Sequence, residues 1–356
     1  SWSKRMGLLD SNLPEFNLAT GDQTVGGFHN EWGACGYFAR INYDYKGIWL
    51  LELNGRYDGS SKFPEADRWA FFPSGSAGYR ISEESFFAPI KRIVNNAKIR
   101  GSYGEIGNQA VGSNMYISTL SKYTATNTHW LDNSGVKVVT YGMPSLVSST
   151  LKWERIQTLD IGADLGFLNN DMNVSFDWYQ RTTKDMLAPG QTMPDVLGAS
   201  APKINAGTLR TRGWELSIDY HHKFNDFSVY GNFSIGDFKT IITEWDNDTR
   251  FLNTNFSGRV YGDIWGFETE RLYQKNDFEY DANGDLVKVY VDPAGHVVPK
   301  GTENSIEAYK LKNGAYQHKL QQSGFLYGPG DVKFKDLNGD GKIDQGEGTP
   351  EDHGDL

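Results

Sequence analysis

LDIGADLGFLNNDMNVSFDWYQ, residues 159–180, is the stretch whose reading decides the fold. Both of its arms alternate apolar and polar residues with period 2, the mark of half-buried strands. Folding it about Asn169-Asn170 as a two-residue turn sets Phe167 opposite Met172, Leu165 opposite Val174, Ala163 opposite Phe176 and Ile161 opposite Trp178. The other face then pairs Gly166 with Asn173, Asp164 with Ser175, Gly162 with Asp177 and Asp160 with Tyr179. One register sorts the apolar residues to one side and nearly all the polar ones to the other, and a slip of one residue would invert the faces. Asn tolerates the positive φ of a hairpin turn. What the apolar face touches, a second sheet or lipid, is the question the rest of the chain has to answer.

The alternation recurs along the chain. Tyr37, Ala39, Ile41, Tyr43 and Tyr45 lead to a turn at Lys46-Gly47. Trp49, Leu51, Leu53 and Tyr57 follow, then Trp69, Phe71, Gly75, Ala77, Tyr79 and Ile81, then Ala97, Ile99, Gly101 and Tyr103. After the opening hairpin come Trp214, Leu216, Ile218 and Tyr220, a turn at 224–226, and Phe227, Val229, Phe233 and Ile235. Pro73 lacks an N–H and argues for an irregularity inside its strand. This makes eight strands between about 37 and 238. Their connections alternate in length: 46–47 short, 58–68 longer, 82–96 moderate with about one helical turn, 104–150 long, 169–170 short, 181–212 long, 224–226 short. Residues 1–35 read as a polar loop, and 239–356 as a very long loop region with short extended pieces such as 286–291.

Short turns at one end and long loops at the other predict an all-β fold, part of a large antiparallel up-and-down transmembrane β-barrel with long extracellular loops. The apolar faces begin or end in aromatics, as interfacial girdles do. The opposite faces carry Arg40, Asp44, Glu52, Arg56, Arg80, Arg100, Asp177, Glu215 and Asp219. The alternative is a soluble or surface-attached β-sandwich that binds glycans.

Composition agrees with strands and turns, with 14% aromatics and 40 Gly. No run of 18 apolar residues is present, so no transmembrane helix is expected; a membrane barrel does not need one. The mean hydropathy of -0.55 fits a barrel with large polar loops and also fits a soluble protein. A net charge of -10 without a basic stripe speaks against nucleic acid. The single Cys35 allows no internal disulfide and reads as a buried bystander. The ends, Ser1-Trp2-Ser3-Lys4 and Gly354-Asp355-Leu356, read as internal to a longer polypeptide.

DLNGDGKIDQGE, residues 336–347, matches a calcium-loop spacing. Asp336, Asn338 and Asp340 would supply side-chain oxygens, Lys342 its carbonyl, Asp344 a ninth-position oxygen and Glu347 the twelfth, with Gly341 at the sharp turn. Bound calcium would stiffen a loop and leave nothing for catalysis; an Asx-rich turn without an ion is the plain alternative. The weaker DFEYDANGD, 277–285, reads as a turn. His221-His222 read as solvated. No GxSxG, HExxH, P-loop or Cys/His cluster is present, so an enzyme is not expected.

RINYDYKGIWLLELNGRYDGSSKF (40–63), RWAFFPSGSAGYRISEESFF (68–87), KIRGSYGEIGNQ (98–109), LKWERIQTLDIGADLGFLNNDMNVSFDWYQRTTKDML (151–187) and GDVKFKDLNGDGKID (330–344) together resemble the SusC/RagA group of TonB-dependent outer-membrane transporters. The DGSS, GNQ, WE, DWYQRTTKDML and GDVKFKDLNGDG elements are specific in combination and weak alone. The resemblance implies import of oligosaccharides, or other oligomers such as peptides, across the bacterial outer membrane. It implies contact with outer-membrane lipid, a SusD-type surface lipoprotein as lid, and TonB acting through an N-terminal region not in this chain. It makes residues 1–356 a portion of the barrel, with plug and terminal strands missing. Trp130, Tyr141, Trp245 and Tyr261 become loop or rim aromatics that could stack on a sugar, although packing is the plainer role for each.

Overall fold

The computed structural model describes residues 2–5, 23–26, 30–123, 131, 133–135, 140–190, 193–318 and 325–356. Its dominant feature is one eight-stranded antiparallel sheet in which each strand pairs with its neighbours in sequence. The strands are β1 (Ala34–Tyr45), β2 (Trp49–Ser60), β3 (Trp69–Arg80), β4 (Val94–Asn108), β5 (Glu154–Phe167), β6 (Met172–Pro189), β7 (Lys203–Lys223) and β8 (Ser228–Glu244). The hairpin of β5 and β6 has the expected register: Phe167 pairs Met172, Val174 pairs Leu165, Phe176 pairs Ala163 and Trp178 pairs Ile161.

That register leaves four residues in the turn, not two. Leu168–Asp171 close it, with φ of 55° at Leu168, 61° at Asn169 and 68° at Asn170. The 181–212 connection is also shorter than the sequence suggested. β6 and β7 stay paired well past Gln180↔Arg212, so the loop is only 190–202. Alternation is lost there because pairs such as Arg181↔Thr211 and Thr182↔Arg210 are polar on both faces, and Asp185 interrupts the ladder at φ 56°. Strand ends elsewhere move for the same reason: β4 starts at Val94 and β8 runs to Glu244. In the 81–93 connection two 3-10 turns, Ile81–Glu83 and Ser85–Phe87, stand where one helical turn was expected. Within the supposed N-terminal loop, Trp2–Arg5 pairs with Gln23–Gly26, strands too short to show a period. Cys35 is exposed, not buried, because β1 is an edge strand with one neighbour.

Rows of apolar residues run across the sheet, as in Tyr45–Trp49–Tyr79–Ile99–Ala163–Phe176–Leu216–Ile235. Among the described residues no second sheet lies on them, and Ile41, Leu53, Ile161 and Phe233 remain exposed. A sandwich would bury this face, so the soluble alternative does not hold. Aromatic stacks bound the band at both ends. Trp49 lies on Tyr79 with ring centroids 4.2 Å apart, and Tyr57 on Trp69 at 5.1 Å. Tyr37 to Tyr45 spans about 26 Å of strand, or about 20 Å of height at a tilt of about 40°, close to the lipid-facing band of a membrane barrel.

The buried core lies at the long-loop end. Phe63, Ala70, Phe72, Val111, Leu151 and Trp153 form it, with Met115, Tyr116 and Leu187 packed against it. Pro73 explains why the core is needed. The β3–β4 ladder ends at Ser74↔Gly104, next to the residue without an N–H, and the two strands part above it. The guanidinium of Arg155 enters the gap, donating to the Phe71 carbonyl at 3.3 Å.

The described residues of 245–356 form more than a long loop. Thr269–Leu272 pairs with Val332–Phe334, and Lys288–Val291 pairs with both Val297–Val298 and Ile306–Tyr309. Leu252, Phe256, Tyr273, Phe278, Val291, Ala308 and Ile343 are buried there. These strands are too short for periodicity to reveal them.

Candidate functional site

The face opposite the lipid band is polar, and its centre is a four-residue charge cluster. Arg100 on β4 reaches Asp177 Oδ2 at 2.7 Å, Asp164 Oδ2 at 3.2 Å and Asp160 Oδ1 at 3.3 Å. Lys98 Nζ lies 3.9 Å from Asp164. Period 2 puts these side chains on one face, and the register puts Gly162, Arg100 and Asp177 in one row. The fork of a guanidinium suits several carboxylates at once. A second network, Arg40–Glu52–Asn54, lies toward β1: Arg40 Nε donates to Asn54 Oδ1 at 2.8 Å, and Asn54 Nδ2 to Glu52 at 2.8 Å. Between them β3 and β4 offer only Ser74, Ser76, Ser102 and Gly104, giving a shallow groove with charged walls. Such a wall suits water, a polar solute or a polar protein domain.

At the long-loop rim the resemblance motifs come together. Trp153 packs against Phe63 in a tilted pair with ring centroids 4.8 Å apart, meets the edge of Phe72 at 5.6 Å and donates its Nε1–H to the Arg68 carbonyl at 3.1 Å. Glu154 accepts from Asn108 Nδ2 at 2.6 Å and from the Leu187 N–H at 2.9 Å. Lys62 Nζ donates to the Gln109 carbonyl at 3.2 Å. A Cβ at Gly107 would enter the Phe72 ring, so glycine is required there. The DGSS, GNQ, WE and DML elements are thus one structural junction. The sequence signalled each element but not their meeting, since the first and last lie more than 120 residues apart.

The Asp-rich loop is a ladder of backbone turns. Asp336 accepts N–H groups from Gly339, Asp340 and Gly341, Asn338 from Asp340, and Asp340 from Lys342. Gly341 has φ 84°, as the spacing required. Lys342 Nζ sits 2.7 Å from Asp344 Oδ2 and 3.7 Å from Asp340 Oδ2, an internal cation between two of the expected ligands. Asp344 is buried and Glu347 is exposed. The buried Asp355 carboxylate, which sequence reasoning passed over, latches the loop by accepting the Leu337 N–H at 2.7 Å and the Asp344 N–H at 3.0 Å. Among the described residues no three His, Cys, Asp or Glu side chains gather as a metal-holding group. Nearby, Arg271 holds Asp277 in a two-point pair at 2.6 and 2.7 Å, and chiefly this hydrogen bonding lowers the Asp277 carboxyl to about 2.

Of the four loop aromatics, Trp130 lies outside the described residues. Tyr141 and Tyr261 are exposed, while Trp245 packs its ring against Gly207. His222 is not merely solvated: its Nδ1 lies 2.6 Å from Asp171 across the β5–β6 turn. The 281–285 segment is the expected turn, with Asp281 accepting from Asn283 and Asp285.

A single-layer meander with an open apolar band, aromatic girdles and a charged inner face is a segment of a transmembrane β-barrel. The chain belongs to the family described as TonB dependent receptor-like, beta-barrel, which matches residues 3–340. It is 30% identical to TonB-dependent receptor P3 of Formosa agariphila over 74% of this chain and 27% of that protein. It is 27% identical to TonB-dependent receptor SusC of Bacteroides thetaiotaomicron over 87% of this chain and 27% of that protein. Its fold is that of the RagAB peptide importer in the open-open state, with a TM-score of 0.59 at 19% identity, covering 87% of this chain and 32% of that one. The chain therefore spans about a quarter of the length of these two receptors. The family is one of outer-membrane receptors and transporters, not of enzymes, and this chain's place is the outer membrane.

Proposed function

We propose that this chain forms part of the wall of a TonB-dependent importer that carries oligosaccharides, or other oligomers such as peptides, across the outer membrane. The observation that carries this reading is the match to SusC over 87% of the chain. The charged lumenal wall supports it, since a polar oligomer needs a hydrated path. A SusD-type surface lipoprotein serves as the partner at the long-loop end, and TonB supplies the drive through regions outside this chain. Exposed Tyr141 and Tyr261 stand at that end as surfaces on which a sugar ring can stack. No covalent chemistry is required.

The test is purification of the native polypeptide from detergent-solubilised outer membranes of its source cell. A stoichiometric lipoprotein beside a polypeptide far larger than 40.0 kDa is the expected result. A polypeptide that copurifies with no lipoprotein, and whose deletion leaves growth on every oligomeric nutrient unchanged, would refute it.

For the Asp-rich loop, we propose that calcium binds through Asp336, Asn338, Asp340 and the Lys342 carbonyl once the Lys342 ammonium leaves, with Asp344 and Glu347 completing the set. Its readout is terbium luminescence, displaceable by calcium and stronger in Lys342→Ala. Equal, weak luminescence in both proteins would count against a site.

A further inference from the structure

The connection between β3 and β4 has a feature that a plain turn does not need. Residues 85–94 wind as a short ribbon of helical turns, with Lys91 N–H donating to the Phe87 carbonyl at 3.2 Å and Val94 N–H to the Ile90 carbonyl at 3.0 Å. Three large apolar residues project from it, Phe86 at 65% exposure, Ile90 at 49% and Ile93 at 71%. Their spacing of four and three residues puts them along one side of a helical ribbon. Lys91 and Arg92, both exposed, sit between Ile90 and Ile93. Exposed apolar groups at this density call for a partner.

The place of the ribbon says which partner. It lies at the short-turn end, and it continues directly from the lipid band. Tyr79, which stacks on Trp49 in the girdle, donates its hydroxyl to Glu84 at 3.1 Å, so the ribbon starts at the girdle itself. Other groups at the same end have the same character. Lys46 lies over the Tyr45 ring at 5.2 Å, and Phe224 stacks on Phe227 at 4.6 Å beside Lys223, with both rings exposed. Apolar side chains beside cations, at the level of an aromatic girdle, match the boundary between acyl chains and phosphates.

We infer that residues 84–93 form an in-plane anchor in the phospholipid leaflet at the short-turn end. Phe86, Ile90 and Ile93 enter the acyl boundary, and Lys91 and Arg92 contact anionic headgroup phosphates. Part of the Lys91 charge is shared with Glu83 at 3.4 Å, which leaves Arg92 as the stronger phosphate contact. The anchor pins one strand connection at a fixed depth, so the β3–β4 pair keeps its height while the long loops move.

The experiment places single cysteines by Phe86→Cys, Ile90→Cys, Ile93→Cys and, as a water-facing control in an exposed turn far from the lipid band, Asn283→Cys, in the full polypeptide otherwise free of cysteine. Each carries an environment-sensitive fluorophore, and the protein is reconstituted in phosphatidylethanolamine–phosphatidylglycerol vesicles. Quenching by nitroxide-labelled lipid, with iodide quenching several-fold weaker than at 283, is expected at all three positions. In the ribbon carrying both Lys91→Glu and Arg92→Glu, iodide quenching at 93 is expected to rise. Iodide access equal to that at 283 would overturn the inference. Shielding from iodide without lipid quenching would also overturn it, in favour of a protein cover. Unchanged depth after the double charge reversal would overturn the headgroup contact.

Discussion

Trp153→Ala tests whether the long-loop rim is held by the junction around that ring. The side chain is buried and makes three kinds of contact: the tilted ring pair with Phe63, the edge contact with Phe72 and the Nε1–H bond to Arg68. Removing a buried aromatic costs about 3–5 kcal/mol through lost transfer energy and the cavity left behind. The Arg68 carbonyl loses its side-chain donor as well, worth about 1 kcal/mol. At about 1.4 kcal/mol per tenfold, a cost of about 4 kcal/mol is roughly a thousandfold rise in local opening. The damage should stay local, because the β5–β8 ladder below uses none of these contacts. Hydrogen exchange by mass spectrometry on the full polypeptide in detergent reads this directly. Protection in segments 60–72, 107–116 and 150–156 is expected to fall by two to three decades, about the range worked above, while 161–165 and 174–178 keep theirs. Trp153→Phe keeps most of the packing and loses the Nε1–H bond, so its loss is expected to be about tenfold. Unchanged protection at the rim, or a loss spread evenly through the lipid band, would refute the junction as the rim's support.

Arg100→Gln leaves Asp160, Asp164 and Asp177 facing one another, and the cluster is about a third exposed, so a discounted cost of about 1–3 kcal/mol is expected in denaturant unfolding. Adding Asp177→Asn should recover part of that loss; strictly additive effects in the double-mutant cycle would show that the charges do not act together. Asp355→Ala orphans the Leu337 and Asp344 N–H groups, and faster exchange across 336–346 by about one to two decades is expected, with β1–β8 unaffected. The Asp277 carboxyl is lowered to about 2 in the folded protein, against about 3.9 unfolded. A lowered folded value means a stabilising contribution that is complete above about pH 4 and lost as pH falls through about 2. Exchange protection of 269–278 should follow that window, and Arg271→Ala should lower protection above pH 4 and flatten most of the pH dependence; a pH profile that ignores Arg271 would sink the pairing.

Where bilayer lies on one side and water on the other, the chain was fully legible. Ile161, Ala163 and Leu165 alternate with Gly162 and Asp164 because each must meet a different medium, and the β5–β6 register follows residue by residue. Past the girdles that constraint ends. Arg181 and Thr182 pair as regularly as Phe176 does, but water surrounds both faces and no periodicity remains to read. The 245–356 region was opaque for another reason: its strands of two to four residues are held by scattered buried groups such as Phe278 and Val291. Pro73 was read correctly because its missing N–H is a local fact. The meeting of Glu154 with Asn108 and Leu187 is a fact of closure, which spacing does not encode. For the Asp-rich loop the spacing gave the turn at Gly341, while Lys342 folding back on Asp344 is a side-chain choice beyond its reach.

These differences bear on how such a wall can vary in sequence. Its lipid face needs only apolar groups of roughly the right size, since the acyl chains opposite are fluid and impose no shape. Its inner face needs its charges paired, and Arg100 pairs with three carboxylates from two other strands. Only at the rim, where β3 and β4 part above Pro73, must particular side chains fit one another, and there the motifs DGSS, GNQ and WE meet. Exposed residues beyond the barrel strands, such as Tyr141 and Tyr261, carry no such packing duty, and that leaves them free to differ.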